Sequence, residues 1–128
     1  MLANILWVGC GGFIGATLRY LITFFFGTWY VAAFPLATFV VNLIGCFLMG
    51  LFSVCIPWLW PTKSEYLLFG TTGLLGGFTT LSTFGLETWG LIQDDRYLMA
   101  VAYMFATMAV CLAGVVLGRF AGRALMGH

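Results

Sequence analysis

Long apolar runs separated by short polar positions set the pattern of this chain. No charged residue precedes Arg19, and none lies between Arg19 and Lys63. A membrane span needs ~20 consecutive apolar residues, so the apolar start and this gap predict two spans, and the rest of the chain predicts two more. Proline ends helices, and Pro57 therefore marks the end of the second span. We expect one all-α membrane domain over residues 1–128, without a separate soluble domain and with helices over residues 3–26, 36–56, 66–92 and 97–121.

One stretch of the third predicted span departs from the apolar pattern. Residues 70–85 are rich in Gly, Thr and Ser. Glycine costs about 1 kcal/mol per helical position relative to alanine, and the β-branched Thr79 and Thr80 add to this cost. We therefore predict a break in the third helix between Gly76 and Thr83. Backbone groups freed at membrane depth must be buried in protein or line a watery cavity, and such breaks are typical of ion or substrate sites.

The two ends of the predicted break differ electrostatically. Carbonyl groups at the end of its first half suit a cation, whereas the amino end of the second half, capped in the Ser82–Thr83 region, favours an anion. Glu87 is the only acidic residue within a predicted span, and it lies just beyond the break. A wet vestibule suits this carboxylate better than a position facing lipid.

Other polar residues within the spans each leave two interpretations open. Asn42 is either a hydrogen-bonding contact between helices or a donor to a ligand. Arg19 either extends to the lipid headgroups or stands as a cation at an aqueous mouth. Tyr103, Thr107 and Cys111 are spaced four apart and form a weakly polar stripe, which is either a helix contact or a hydroxyl-lined track.

Small residues recur at a spacing of four in the first and fourth predicted helices. Gly11 and Gly15 form one such face, and a second is formed by Gly114, Gly118 and Gly122. Faces of this kind let two helices approach closely in a membrane. We expect both faces to be helix contacts.

Composition agrees with a membrane protein and excludes several functions. The chain is 62% hydrophobic and 7% charged, with a mean hydropathy of +1.07, far from the values of soluble domains. Its net charge of +1 and the lack of a basic cluster give nucleic-acid binding no support. No nucleophile–base pair is evident, and we do not expect an enzyme. The four cysteines, all within apolar runs and without a C-x-x-C pair, fit packing residues better than disulfides or metal ligands: Cys10, Cys46, Cys55 and Cys111.

Basic residues are distributed almost evenly over the two sides of the predicted topology. The count is about three against two, a bias too small to fix one orientation. Insertion in both orientations follows, and with it an antiparallel homodimer. Its two-fold axis would bring two identical broken segments together.

Several motifs together resemble one family. They are Gly11-Gly12-x-x-Gly15-Ala16-x-x-Arg19-Tyr20, Thr38-x-x-x-Asn42-Leu43-x-Gly45 and Gly73-x-x-Gly76-Gly77-x-Thr79-Thr80-x-Ser82-Thr83-Phe84. The combination resembles the small bacterial fluoride channels of the Fluc (CrcB) family, over essentially the whole chain. The G-G-x-T-T-x-S-T-F segment is the specific part.

The resemblance implies a dual-topology homodimer in the lipid bilayer of the bacterial inner membrane, with two antiparallel fluoride pores. It also implies a central Na+ that is not transported and is held by the backbone carbonyls of Gly76 and Thr79 from each subunit. Asn42 corresponds to the pore amide and Phe84 to a ring whose edge meets fluoride. The resemblance extends the fluoride pathway to Tyr103, Thr107 and Thr38 and places Arg19 at its vestibule. From their positions around the break we also expect Ser82 and Thr83 in the pore and Glu87 at the vestibule.

Two residues depart from the family pattern. The family usually has phenylalanine at the position of Leu81, and a hydroxyl is expected at the position of Cys111. An aliphatic side chain cannot offer the positive edge of an aromatic ring. We therefore expect a functional pore with an altered rate or an altered fluoride affinity.

Two other functions remain as alternatives. A small dual-topology multidrug exporter has a similar length and hydropathy, but it needs a membrane carboxylate in the first span, where this chain has none; Glu87 is the only substitute. A small assembly subunit would use the glycine faces only for packing. That alternative leaves Asn42 and the predicted break without a purpose.

Overall fold

The computed structural model describes residues 1–27 and 34–127, and every regular element within them is helical. The connection at residues 28–33 and His128 lie outside this description. In chain order the helices are α1 (Leu2–Gly27), α2 (Leu36–Leu59), α3 (Ser64–Leu67), a π-helical segment (Leu68–Leu75), α4 (Gly76–Phe78), α5 (Leu81–Gln93) and α6 (Tyr97–Met126).

The prediction that α2 ends before Pro57 is wrong. Helix α2 continues through the proline to Leu59, and the N–H of Trp60 still donates to the carbonyl of Ile56 at 2.9 Å. A proline lacks only its own N–H, so near the end of a helix it removes one bond to the carbonyl four residues earlier. The last turn of α2 therefore survives.

Residues 64–78 run as one helical stretch that changes its hydrogen-bond pattern twice. The eight residues Leu68–Leu75 form a π-helix, flanked by α-helical turns. At Thr79 and Thr80 the backbone is extended, with ψ angles of 156° and 120°, and α5 begins at Leu81. Poor helix formers occupy both irregular places, and π-helical turns are frequent at functional sites.

The fold contains two close helix–helix contacts, and glycine residues make both possible. Helix α1 packs against residues 64–78, where a Cβ on Gly11 would lie 2.5 Å from the carbonyl oxygen of Phe69. Helix α2 packs against α6, where a Cβ on Gly118 would overlap the carbonyl of Phe47. The predicted small-residue faces are thus backbone-to-backbone contacts.

Helix α6 is longer than predicted. It extends to Met126 and ends at Gly127, whose φ of 79° places it in the left-handed region that glycine favours at helix ends. The guanidinium of Arg119 donates to the hydroxyl of Ser53 on α2 at 3.0 Å. This bond joins α6 to α2 two residues before the predicted boundary.

Three of the described helices, α1, α2 and α6, are long and apolar enough to cross a membrane. They also carry large apolar side chains on the outer surface of the chain, such as Phe13, Phe105 and Leu112. Exposed apolar surface of this extent suits lipid or another subunit, not water. The chain is a multi-pass membrane protein.

Candidate functional site

Asn42 holds the extended residues next to α2. Its Nδ2 donates to the carbonyl oxygen of Thr80 at 2.9 Å, and its Oδ1 accepts from the N–H of Thr80 at 2.8 Å. The side chain is 8% exposed. Buried backbone groups outside a helix need partners, and one carboxamide supplies both a donor and an acceptor here. These two bonds confirm the interpretation of Asn42 as a hydrogen-bonding contact between two elements of the fold.

Two helical carbonyls lose their usual partners at the same place. In an uninterrupted helix the N–H of Thr80 would donate to the carbonyl of Gly76, and the N–H of Thr83 to that of Thr79. Here the first N–H donates to Asn42, and the second donates to Oγ1 of Thr80 at 3.3 Å. The carbonyls of Gly76 and Thr79 are therefore released from their helical donors.

The cap of α5 is Thr80, one position before the helix, and not the predicted Ser82–Thr83 region. The Thr80 hydroxyl also donates to Oγ1 of Thr83 at 3.1 Å and lies 3.4 Å from Oγ of Ser82. A residue with extended dihedrals can turn its side chain onto the first helical N–H groups, which a residue inside the helix cannot do. Ser82 and Thr83 serve as partners of this cap.

Arg19 approaches the end of the first helical stretch. Its Nε donates to the carbonyl oxygen of Gly77 at 3.2 Å, and the residue is partly buried. Carbonyl groups at a helix end carry a partial negative charge, which a guanidinium stabilises. Arg19 thus binds the backbone beside Gly76 instead of extending freely away from the protein.

Glu87 accepts two hydrogen bonds across three helices. Thr38 on α2 donates to Oε1 at 2.7 Å, and the hydroxyl of Tyr103 on α6 donates to Oε2 at 2.8 Å. Thr38 and Tyr103 are buried, whereas Glu87 is partly exposed. The ring of Tyr103 also meets Phe84 edge to face, with 4.9 Å between ring centroids. These contacts join α2, α5 and α6 around one carboxylate.

A groove of about 310 Å³ lies between α2, the extended pair and α6. Thr107 lines it and is 7% exposed, and its hydroxyl oxygen has no hydrogen-bond partner within the described part of the chain. A buried hydroxyl without a partner calls for an explanation, such as a bound ion. The lining comprises Asn42, Gly45, Cys46, Met49, Thr79, Thr80, Leu81, Phe84, Thr107, Met108, Cys111 and Val115.

The groove brings together only some of the predicted site residues. Asn42, Thr79, Phe84, Thr107 and Cys111 line it, and Leu81, which is 80% exposed, lies at its edge. The remaining predicted residues lie in the adjoining arrangements described above: Thr38, Glu87 and Tyr103 in the carboxylate cluster, Ser82 and Thr83 in the cap, and Arg19 and Gly76 at the end of the first helical stretch.

Six lining residues were not among the predicted site residues: Gly45, Cys46, Met49, Thr80, Met108 and Val115. Cys46 and Met49 follow Asn42 by four and seven positions, the spacing of one helix face, and Met108 follows Thr107 directly. The helical spacing from Asn42 was a usable signal. Because α2 is almost entirely apolar, the sequence did not distinguish the face of Cys46 and Met49 from the others.

The groove presents neutral polar groups on an otherwise apolar wall. It offers a carboxamide, hydroxyls and the Phe84 ring, and the described residues hold no cluster of three His, Cys, Asp or Glu side chains able to bind a metal. Neutral donors and ring edges can replace part of the hydration of a small anion.

Comparisons with known proteins place the chain in one family. Residues 6–119 match the family model described as "CrcB-like protein, Camphor Resistance (CrcB)". A relative from Ruminiclostridium cellulolyticum named "Fluoride-specific ion channel FluC" is 42% identical over 95% of this chain and 94% of its own length. "Fluoride-specific ion channel FluC 2" of Nocardia farcinica is 44% identical over 94% and 86%. A Helicobacter pylori relative with the former name is 40% identical over 95% of each chain. The resemblance in the sequence motifs is confirmed, and the chain belongs to the CrcB family.

Proposed function

We propose that this protein is a fluoride-selective channel through which fluoride leaves the cell passively. Relatives that match almost the whole chain carry the name fluoride-specific ion channel. The structural observation that carries the proposal is the buried hydroxyl of Thr107, which has no partner among the described residues and lies in the groove that Asn42 also lines. A donor left free in a confined space is what an anion that has lost water requires.

Neutral donors suit conduction as well as binding. Conduction requires sites that bind an ion well enough to admit it and weakly enough to release it. The Asn42 amide carries two N–H groups, and the hydrogen bond to Thr80 uses one of them. The second N–H and the Thr107 hydroxyl offer fluoride successive neutral donors, and the edge of the Phe84 ring adds a weak positive potential.

The proposed channel needs a fourth membrane crossing. Residues 64–93 supply it as an interrupted passage, with the extended Thr79–Thr80 pair at its middle. Asn42 and the side chain of Thr80 form hydrogen bonds with its irregular backbone. Backbone groups outside a helix at membrane depth need such partners. The complete unit is an antiparallel, dual-topology homodimer in the bacterial inner membrane, supported by the even distribution of basic residues.

A sodium ion fits the same interruption. The carbonyls of Gly76 and Thr79, released from their helical donors, are hard oxygen ligands, and Arg19 occupies the neighbouring carbonyl of Gly77 without using either. These two carbonyls from each subunit would hold the ion. When bound, it supplies a fixed positive charge that stabilises the break and raises the local potential for anions.

The two departures from the family pattern fall on the groove. Leu81 places an exposed aliphatic side chain at its edge, and Cys111 places a thiol on the stripe below Thr107. A thiol is a weaker hydrogen-bond donor than a hydroxyl. We therefore propose that fluoride passes with an altered rate or affinity relative to relatives with Phe and a hydroxyl at these positions.

Two findings disfavour the exporter. No acidic residue lies in α1, and Glu87 is already bound by Thr38 and Tyr103. Proton-coupled exchange needs a carboxylate that is free to exchange its proton for the cationic drug.

The test is fluoride efflux from liposomes that contain the purified protein. We expect rapid electrogenic efflux of fluoride and little efflux of chloride under the same gradient, with protein-free liposomes as the control. Uptake of a cationic drug driven by a pH gradient, without fluoride efflux, would show the exporter instead. Neither activity would favour the assembly subunit.

A further inference from the structure

Four sulfur-bearing side chains face the groove, two from each of its helical walls. Cys46 and Met49 come from α2, and Met108 and Cys111 from α6, each pair spaced by three residues. A spacing of three places both members of a pair on one helix face. The sequence scatters these residues over more than half of the chain, and the fold brings them to one cavity.

The two thiols are close because α2 and α6 pack tightly at this level. A Cβ on Gly114 would lie 3.6 Å from the Cβ of Cys46, and Cys111 precedes Gly114 by one helical turn. Cys46 and Cys111 both line the groove between these two helices. The other two cysteines lie elsewhere: Cys10 lines a separate cavity with Trp7, and Cys55 lines none of the described cavities.

This donor set selects one class of metal ion. Thiolate and thioether sulfurs are soft ligands that favour monovalent copper and silver over hard cations. We propose that Cys46 and Cys111 bind one thiophilic monovalent cation, Ag+ or Cu+, with Met49 and Met108 as auxiliary ligands, and that the bound ion closes the groove to anions. The proposed metal binding depends only on the sulfur cluster. The proposed closure of the groove also depends on the proposed fluoride conduction.

The charge of the complex explains the closure. Each thiol loses its proton to water, two metal–sulfur bonds form, and no atom changes its oxidation state. Two thiolates around one monovalent cation leave a net charge of −1, on the wall that carries Asn42 and Thr107. A fixed negative charge in a low-dielectric groove repels fluoride strongly. The metal also fills part of the space between the helices.

The first experiment measures silver binding without any transport. The protein in which Cys10 and Cys55 are both replaced by serine is reduced, desalted and exposed to silver nitrate in chloride-free detergent buffer with excess glutathione. A single protein thiol loses silver to this competitor, whereas two thiols on one site retain it through their high effective concentration. Silver per chain is then measured by mass spectrometry after gel filtration.

We expect this background protein to retain one silver ion per chain. Adding Cys46→Ser or Cys111→Ser should abolish retention, and alanine at either position should do the same, which separates the loss of sulfur from a fold disturbed by serine. Met49→Leu with Met108→Leu should weaken retention by about tenfold at similar side-chain volume. Loss of silver from the background protein, or retention after both thiols are removed, would overturn the site.

The second experiment measures fluoride efflux in the same variants, each relative to its own rate without silver. Silver nitrate should reduce efflux at least about tenfold in the wild type and in the Cys10→Ser, Cys55→Ser protein, and dithiothreitol should restore it. Variants lacking Cys46 or Cys111 should not respond. Silver binding with undiminished efflux would overturn the closure. Silver binding by a protein that passes no fluoride even without silver would overturn the proposed function and leave the site standing.

Discussion

Asn42 and Thr80 are joined by a reciprocal pair of hydrogen bonds, with the Asn42 amide donating at 2.9 Å and accepting at 2.8 Å. The residues are 38 positions apart in the chain. The pair diverts the N–H of Thr80 from the carbonyl of Gly76, so one side chain on α2 both supports the extended backbone and frees the carbonyl proposed as a sodium ligand. The proposed sodium site and the proposed anion path therefore depend on the same carboxamide.

Replacing Asn42 with aspartate should suppress fluoride efflux at least about tenfold, because the change removes both amide N–H groups and adds a negative charge. It also leaves the carbonyl of Thr80 without its donor, at a cost of about 1–3 kcal/mol in the free energy of unfolding. Efflux from liposomes and thermal unfolding in detergent measure the two effects. The matched control is Asn4→Asp on the exposed face of α1. Unchanged efflux in Asn42→Asp would remove this residue from the pore.

Gly45→Ala should damage the extended pair. A Cβ at this position would overlap the methyl group of Thr79 and approach the Phe78 ring at 3.4 Å. Overpacking of this kind costs about 1–3 kcal/mol, and we expect a lower unfolding temperature and slower fluoride efflux. Gly90→Ala on α5, where a Cβ meets no atom within 4 Å, is the control and should be neutral or stabilising. Equal stability of the two variants would show that Thr79 moves freely.

Thr79→Ser should be tolerated. Serine keeps the backbone carbonyl proposed as a sodium ligand and keeps the hydroxyl that donates to the carbonyl of Leu75 at 3.0 Å. It loses only the methyl group that contacts Gly45, which costs about 1 kcal/mol. We expect fluoride efflux within about threefold of the wild type. A complete loss of efflux would mean that the methyl contact, and not the carbonyl, is the essential contribution of this residue.

Glu87→Gln should destabilise the junction of α2, α5 and α6. Thr38 and Tyr103 donate to different oxygens of this carboxylate, and in a glutamine amide one of these two positions becomes an NH2 donor. We expect a loss of about 1–3 kcal/mol and a lower unfolding temperature. With the NH2 group at the Oε2 position, the Tyr103 hydroxyl loses its acceptor, so in a double-mutant cycle Tyr103→Phe should recover part of this loss. Additive losses would show that Tyr103 and Glu87 are not coupled.

Leu81→Phe should raise the rate or apparent affinity of fluoride passage. An aromatic ring at the edge of the groove supplies a positive ring edge that leucine lacks. Efflux as a function of fluoride concentration separates the two effects. Leu86→Phe, at another exposed position of α5, adds the same volume away from the groove and should have no effect. An equal response of both variants would indicate a general change in α5.

Features that arise locally were predictable from the sequence. The apolar runs locate α1, α2 and α6, and the glycines at a spacing of four locate the close contacts, because both follow from helix periodicity and lipid thickness. Pro57 misled the prediction, because a proline in the last turn removes only one hydrogen bond.

The site depends on contacts that periodicity does not encode. The capping role of Thr80 requires its extended dihedrals, and these are held by Asn42 from another helix. The bond from Arg19 to Gly77 spans 58 positions. The common position of Cys46 and Cys111 in one groove follows only from the packing of α2 against α6. Sequence spacing identified candidate residues, but their contacts were defined only by the packing of the helices.

The number of residues in the π-helical segment Leu68–Leu75 affects the orientation of the chain that follows it. A π-helix closes its hydrogen bonds over one more residue than an α-helix, so deletion of one residue would let the segment relax into regular α-helix. The wider turns of the segment already take up an extra residue, so this relaxation would leave the direction of Thr80 toward Asn42 largely unchanged. Insertion of one further residue would instead rotate everything downstream by about 100° and turn Thr80 away from Asn42. The segment therefore tolerates a loss of length better than a gain, although none of its residues lines the groove.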